Sequence, residues 1–182
     1  SFSNCLHYYE NTNKFKIFSK KKLPTGYILN DLLKYYFVKL STIIIKKEML
    51  KNYKFDPFYN IIGDFDFIIK ISKKYKGMSF QDNLVNIRIH KNNFTHNNRK
   101  MFYDEFKHWV NNQDFSDFHF NQNKEFLFDK LEYLRLVYLS LENKNFGLLL
   151  DIIKFPRYFY KIKLLIIFFI PNFILRLKKE YF

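Results

Sequence analysis

The stretch Ile62-Gly63-Asp64-Phe65-Asp66-Phe67-Ile68-Ile69-Lys70-Ile71-Ser72-Lys73-Lys74-Tyr75-Lys76-Gly77 decides how this chain is read. Phe67, Ile68, Ile71 and Tyr75 recur at helical spacing, which predicts a helix of about three turns with one broad apolar face. Two acids open it and Lys70, Lys73 and Lys74 follow toward its end, the order a helix dipole favours. Gly77 supplies the stop. A carboxylate at the start of a helix is met by backbone N–H groups, which on this reading keep Asp64 ionised. Such a group serves either as an ordinary cap or as a general base.

Downstream, Met78 to Phe80 and Leu84 to His90 read as strands. Val85, Ile87 and Ile89 alternate with Asn86, Arg88 and His90, which puts a cation and a histidine on one polar face. Upstream, Leu6, Tyr8, Phe15 and Ile17 alternate about an Asn11-Thr12-Asn13 turn, so residues 4 to 18 read as a hairpin. Pro24-Thr25-Gly26 marks a turn. Tyr27 to Leu40 has helical spacing through Ile28, Leu32, Tyr35 and Tyr36, and the β-branched run Thr42 to Ile45 predicts a short buried strand. A brief helix or turn follows over 46–52.

Beyond Asn93 the texture changes to Asn, His, Asp and aromatic residues. Helices are predicted at Met101 to Val110, Phe126 to Leu141 and Phe146 to Ile153, with a loop after the first. The tail, 154–182, carries Lys154, Arg157, Lys161, Lys163, Arg176, Lys178 and Lys179 against Glu180 alone. Its longest apolar run, Leu164 to Ile170, ends at Pro171, far short of the roughly 20 residues a membrane span needs. Basic flanks around an apolar centre suit a helix lying in a membrane interface, and equally one covering the domain's own core.

Composition narrows the field. The formal charge is +14, with 24 Phe and 14 Tyr and no alanine. Lysine rather than arginine supplies nearly all of the positive charge, whereas nucleic-acid readers lean on the bidentate guanidinium. The single cysteine, Cys5, has no internal disulfide partner, so a reducing cytoplasmic setting is expected.

The ordered set Ser41-Thr42-Ile43-Ile44-Ile45-Lys46-Lys47, Phe55-Asp56, Ile62-Gly63-Asp64-Phe65-Asp66-Phe67 and Arg88-Ile89-His90-Lys91-Asn92-Asn93 resembles the C-terminal signature of family 2 glycosyltransferases. The likeness covers about residues 4 to 96, with Lys70 where that family commonly has arginine and Gly63 where it commonly has an acid. It implies an α/β fold, the C-terminal portion of a type A (Rossmann-like nucleotide-diphospho-sugar transferase) domain over 1–96. A helical extension over 97–153 and the basic tail would follow. It implies Asp64 as catalytic base, Asp66 and Thr42 as acceptor-binding residues, and Arg88 and His90 near the donor diphosphate, His90 also as a metal ligand. A divalent cation, Mg or Mn, is expected in the complete enzyme, with a nucleotide-diphosphate sugar and a glycan or lipid-linked acceptor as partners. The product would be a bacterial surface polysaccharide, made peripherally on the inner face of the membrane.

The family's nucleotide-binding βαβ region and Asp-x-Asp motif have no counterpart before residue 40. The resemblance therefore implies that these residues alone bind nucleotide sugar poorly and transfer nothing. The alternative is a non-catalytic basic module that docks on anionic membrane or nucleic acid, which explains the charge but not the ordered Asp64, Arg88 and His90. A glycoside hydrolase would need two carboxylates flanking the bond, and Asp64 and Asp66 are too close in sequence to offer that.

Overall fold

The computed structural model describes residues 1–171, apart from the side chain at position 96; the end of the basic tail, 172–182, lies outside the described residues. The fold is mixed α/β and divides into two compact units after His90.

The first unit is built on a three-stranded sheet in the order β2-β1-β3. β1 (Phe2–Tyr9) and β2 (Lys14–Ile17) form the expected antiparallel hairpin, with Leu6 opposite Ile17 and Tyr8 opposite Phe15. Asn13 turns the chain at φ 54°, a left-handed conformation that asparagine tolerates better than most residues. The Tyr8 hydroxyl donates to its side-chain oxygen at 2.5 Å.

β3 (Ser79–Ile89) runs parallel to β1 and joins the two strands read from the sequence into one. The register shifts near Ser3 and Asn4, where Gln81 and Asp82 bulge from the ladder. Gln81 uses its side chain there, accepting from the Leu23 N–H at 2.8 Å and donating to the Leu23 carbonyl at 3.2 Å. The expected alternation holds, with Val85, Ile87 and Ile89 half-buried and Asn86 and Arg88 exposed.

Two upstream expectations need correction. The helix read over 27–40 is only α1 (Leu29–Lys34); Tyr35 turns extended at φ −146°. The run Tyr35-Tyr36-Phe37-Val38 is aromatic and β-branched, costly in a helix interior, and as extended chain it buries Phe37 and Val38 instead. The strand expected over 42–45 is a single turn of 3-10 helix, Leu40–Thr42, followed by one bridge from Ile43 to Phe2. Ile44 exchanges backbone hydrogen bonds with Ser1 while its side chain is exposed. The ladder there is too short to register as a strand whatever the β propensity of the run.

α2 (Met49–Asn52) is the brief helix expected. α3 (Gly63–Ser72) is the deciding helix, and it is buried more completely than one apolar face predicts. Phe65, Phe67, Ile68, Ile69 and Ile71 are all inside. Phe67 stacks on Phe55 with ring centroids 4.3 Å apart, and Phe65 meets Tyr36 edge to face at 5.3 Å.

The second unit contains α4 (Phe94–Asn97), α5 (Arg99–Asn111), α6 (Phe118–Gln122), α7 (Lys124–Glu142), α8 (Phe146–Lys154) and α9 (Tyr158–Phe169). α6 falls in the segment read as loop. Asp117 caps it, accepting from the N–H groups of His119 and Phe120, which stabilises a helix too short to show in the apolar spacing. Phe106, Trp109, Phe120 and Leu127 are fully enclosed in this unit. Leu136, Val137, Leu148, Ile152, Phe155, Leu164 and Ile167 form a further core, so α9 shares buried surface with α7 and α8.

Candidate active site

Asp64 lies in the first turn of α3 and is not its cap; Ile62 occupies that position and offers no side-chain bond. The Asp64 carboxylate accepts from the Phe65 N–H at 2.7 Å and is half-buried. Burial raises its pKa above the usual carboxylate value, against the opposing pull of the Phe65 N–H, the Tyr36 hydroxyl and the Lys39 ammonium. The helix N–H groups favour the ionised form, as expected, but they are not the largest influence on it. Desolvation outweighs them, because the same burial that orders the carboxylate removes water from it.

Tyr36 and Lys39 come from the extended chain that follows α1. The Tyr36 hydroxyl is buried and finds no well-aligned hydrogen-bond partner, yet it lies close enough to Asp64 for each to shift the other's ionisation. Burial, then the Asp64 charge, pushes the phenol well above its usual range. Lys39 is half-buried with its pKa lowered by burial, while Asp64 and then Cys5 pull it back up. Its ammonium stands 4.5 Å from the centroid of the Phe18 ring. Phe18 in turn packs against His7 at 5.1 Å. Burial first and Lys39 second lower the His7 pKa, which favours the neutral imidazole. The result is a cluster of carboxylate, phenol, ammonium and imidazole gathered between the N-terminus of α3 and one face of β1.

The other sequence-predicted residues are placed differently. Asp66 is buried, and Lys70 Nζ stands 2.6 Å from its Oδ2, an ion pair one helical turn apart. The Thr42 hydroxyl is buried and donates to the Lys39 carbonyl at 2.8 Å, so it braces the segment that carries Lys39. Arg88 pairs across the sheet with Tyr8, whose neighbour His7 points to the opposite face. Its guanidinium is exposed, 3.8 Å from Glu10. Arg88 is therefore across the sheet from the cluster rather than part of it. His90 is half-buried just beyond the last paired residue of β3.

Tyr36, Lys39 and His7 escaped the sequence reading. No spacing links them to Asp64, and the assumed helix over 27–40 hid the extended turn that delivers Tyr36 and Lys39. A cavity of about 450 Å³ in the same unit, lined by Ile28, Val38, Ile43, Met49 and Ile71 with Lys46, Glu48 and Lys76 among others, is mainly apolar and includes none of the cluster.

The divalent metal that the resemblance implies is expected of the complete enzyme rather than of these residues alone. Among the described residues no three His, Cys, Asp or Glu side chains converge. Asp66 is already engaged by Lys70. No family model, curated protein or solved structure matches the chain.

Proposed function

We propose that this chain is part of an inverting glycosyltransferase with the type A fold, and that Asp64 is its catalytic base. The observation that carries the reading is the half-buried Asp64 carboxylate at the head of α3, with its pKa raised by burial and its charge faced by Lys39 and Tyr36. A carboxylate with a raised pKa is a stronger base than an ordinary one. The mixed α/β unit and the ordered motif set support the fold.

In this reading an acceptor hydroxyl approaches Asp64 and gives up its proton to the carboxylate as its oxygen bonds to the anomeric carbon. The bond from that carbon to the donor diphosphate breaks, and the diphosphate leaves with the electron pair. Attack from the face opposite the leaving group inverts the anomeric configuration. Lys39 and the Tyr36 hydroxyl both favour the charged form of Asp64 before transfer. The donor would be a nucleotide-diphosphate sugar, and the acceptor a glycan or lipid-linked hydroxyl at the inner face of a bacterial membrane.

The stereochemistry tests the reading. The complete gene product, supplied with nucleotide sugars and acceptors, should give a glycoside of inverted anomeric configuration by proton NMR. A product of retained configuration would overturn the role given to Asp64.

A further inference from the structure

α8 and α9 each present apolar residues on the face turned away from their shared core. On α8, Leu148 and Ile152 are buried, while Phe146, Leu150 and Ile153 form an outward arc. On α9, Leu164 and Ile167 are buried, while Tyr158, Phe159, Ile162, Ile166 and Phe169 form the outward arc. Phe159 is 81% exposed and Phe169 is 68% exposed. Surface helices normally turn polar residues to water, and a helix that is apolar on both sides is covered by something.

Charge says what kind of covering fits. Lys154 borders the arc of α8 and Lys163 that of α9, both exposed. Asp151, the one acid on the two helices, is engaged by Arg135 at 2.8 Å, and between Ile152 and Lys179 the sequence contains no acid. Arg157 is already engaged, at 2.6 Å from Asp129, so the lysines are the cations that border the arcs. A second copy of this chain would bring the same positive charge against itself, whereas acidic lipid headgroups complement it. No helix among the described residues is long and apolar enough to cross a membrane. α9, at 12 residues, reaches only about 18 Å, against a hydrocarbon core of roughly 30 Å. Aromatic residues on such a face suit the headgroup boundary.

We propose that the outward arcs of α8 and α9 seat on the surface of a bilayer containing anionic phospholipid, with the helices lying in the interfacial plane. The aromatic and aliphatic side chains enter the boundary, and Lys154 and Lys163 meet headgroup phosphates. The inference stands independently of the catalytic reading, since no residue of the Asp64 cluster takes part.

The test is co-sedimentation of the full chain with phosphatidylcholine vesicles made with and without phosphatidylglycerol, alongside two double variants. The wild type should partition onto the anionic vesicles about tenfold or more strongly than onto neutral ones, and less as salt rises. Phe159→Ser with Phe169→Ser should weaken that binding by about tenfold or more, since each variant removes an exposed ring. Because both rings are exposed, circular dichroism and the thermal midpoint should be unchanged. Lys154→Gln with Lys163→Gln should reduce the preference for anionic lipid while keeping the residual binding to neutral vesicles. Absence of wild-type binding to anionic vesicles, or equal binding by the Phe159/Phe169 variant, would overturn the proposal. So would a concentration-dependent dimer abolished by the same serine substitutions, which would make the covering surface a second copy.

Discussion

The Lys39 ammonium and the Asp64 carboxylate each favour the other's charged form against the burial that drives both toward neutrality. Lys39 belongs to an extended segment after α1 and Asp64 to the first turn of α3, so the pair exists only once the unit has folded. Burial prevails in both: the lysine pKa is lowered and the aspartate pKa is raised. An isolated surface pair would show neither shift in this direction.

Asp64 should therefore cost the fold stability. A carboxylate whose pKa is raised on folding stabilises the native state most below the unfolded pKa, and that advantage is lost as pH rises through the folded pKa. Asp64→Asn removes the charge and keeps the acceptor for the Phe65 N–H. It should be at least as resistant to urea as the wild type at pH 7, with the difference closing below about pH 4. A variant clearly less stable than wild type at pH 7 would mean that burial is not the dominant influence on this carboxylate.

Removing Lys39 should move two neighbours upward. Lys39→Met deletes a charge that lowers both the Asp64 and the His7 pKa. Proton NMR titration of the His7 ring should show its pKa rising in the variant. If transfer is assayed in the complete gene product, the acid limb of its pH profile should shift to higher pH.

Gly26 carries a backbone requirement. Its φ is +98°, and its N–H and carbonyl both bond to Gly77 at 2.8 Å. A Cβ there would meet open space, so the cost of Gly26→Ala is conformational alone. Thermal or chemical unfolding should register a loss of about 1–2 kcal/mol.

Asp117 tests the helix that the apolar spacing concealed. Its carboxylate accepts from two N–H groups at the start of α6, at 2.9 Å from His119 and 3.2 Å from Phe120. Asp117→Ala should lower stability by about 1 kcal/mol, and Asp117→Ser should recover most of it.

What the sequence made legible follows from the range of the forces involved. The hairpin about Asn13, the strand ending at Ile89 and the helices α5, α7 and α8 are written in local periodicity and turn chemistry, and they appear where expected. α3 was legible as a helix because its apolar spacing is strong, but its burial on nearly every side depends on Phe55, Tyr36 and other distant partners. The strand expected at Thr42 to Ile45 failed because β propensity cannot supply a partner, and only Phe2 and Ser1 are there to pair. Asp64 is singled out by the ordered motif set together with its place at a helix start. Tyr36, Lys39 and His7 are not, since their meeting with Asp64 is a product of chain path rather than spacing. Arg88 shows the converse: its alternation was read correctly, yet its sheet face is opposite that of His7.

The most direct test compares the complete gene product with its Asp64→Asn variant in transfer of labelled sugar from a panel of nucleotide-diphosphate sugars. The account predicts transfer by the wild type and a loss of about a hundredfold or more in the variant, within the range that general-base removal produces, with undiminished stability at pH 7. Wild-type protein that transfers none of the sugars, or a variant that retains most of the wild-type rate, would contradict the assignment of Asp64 as the base.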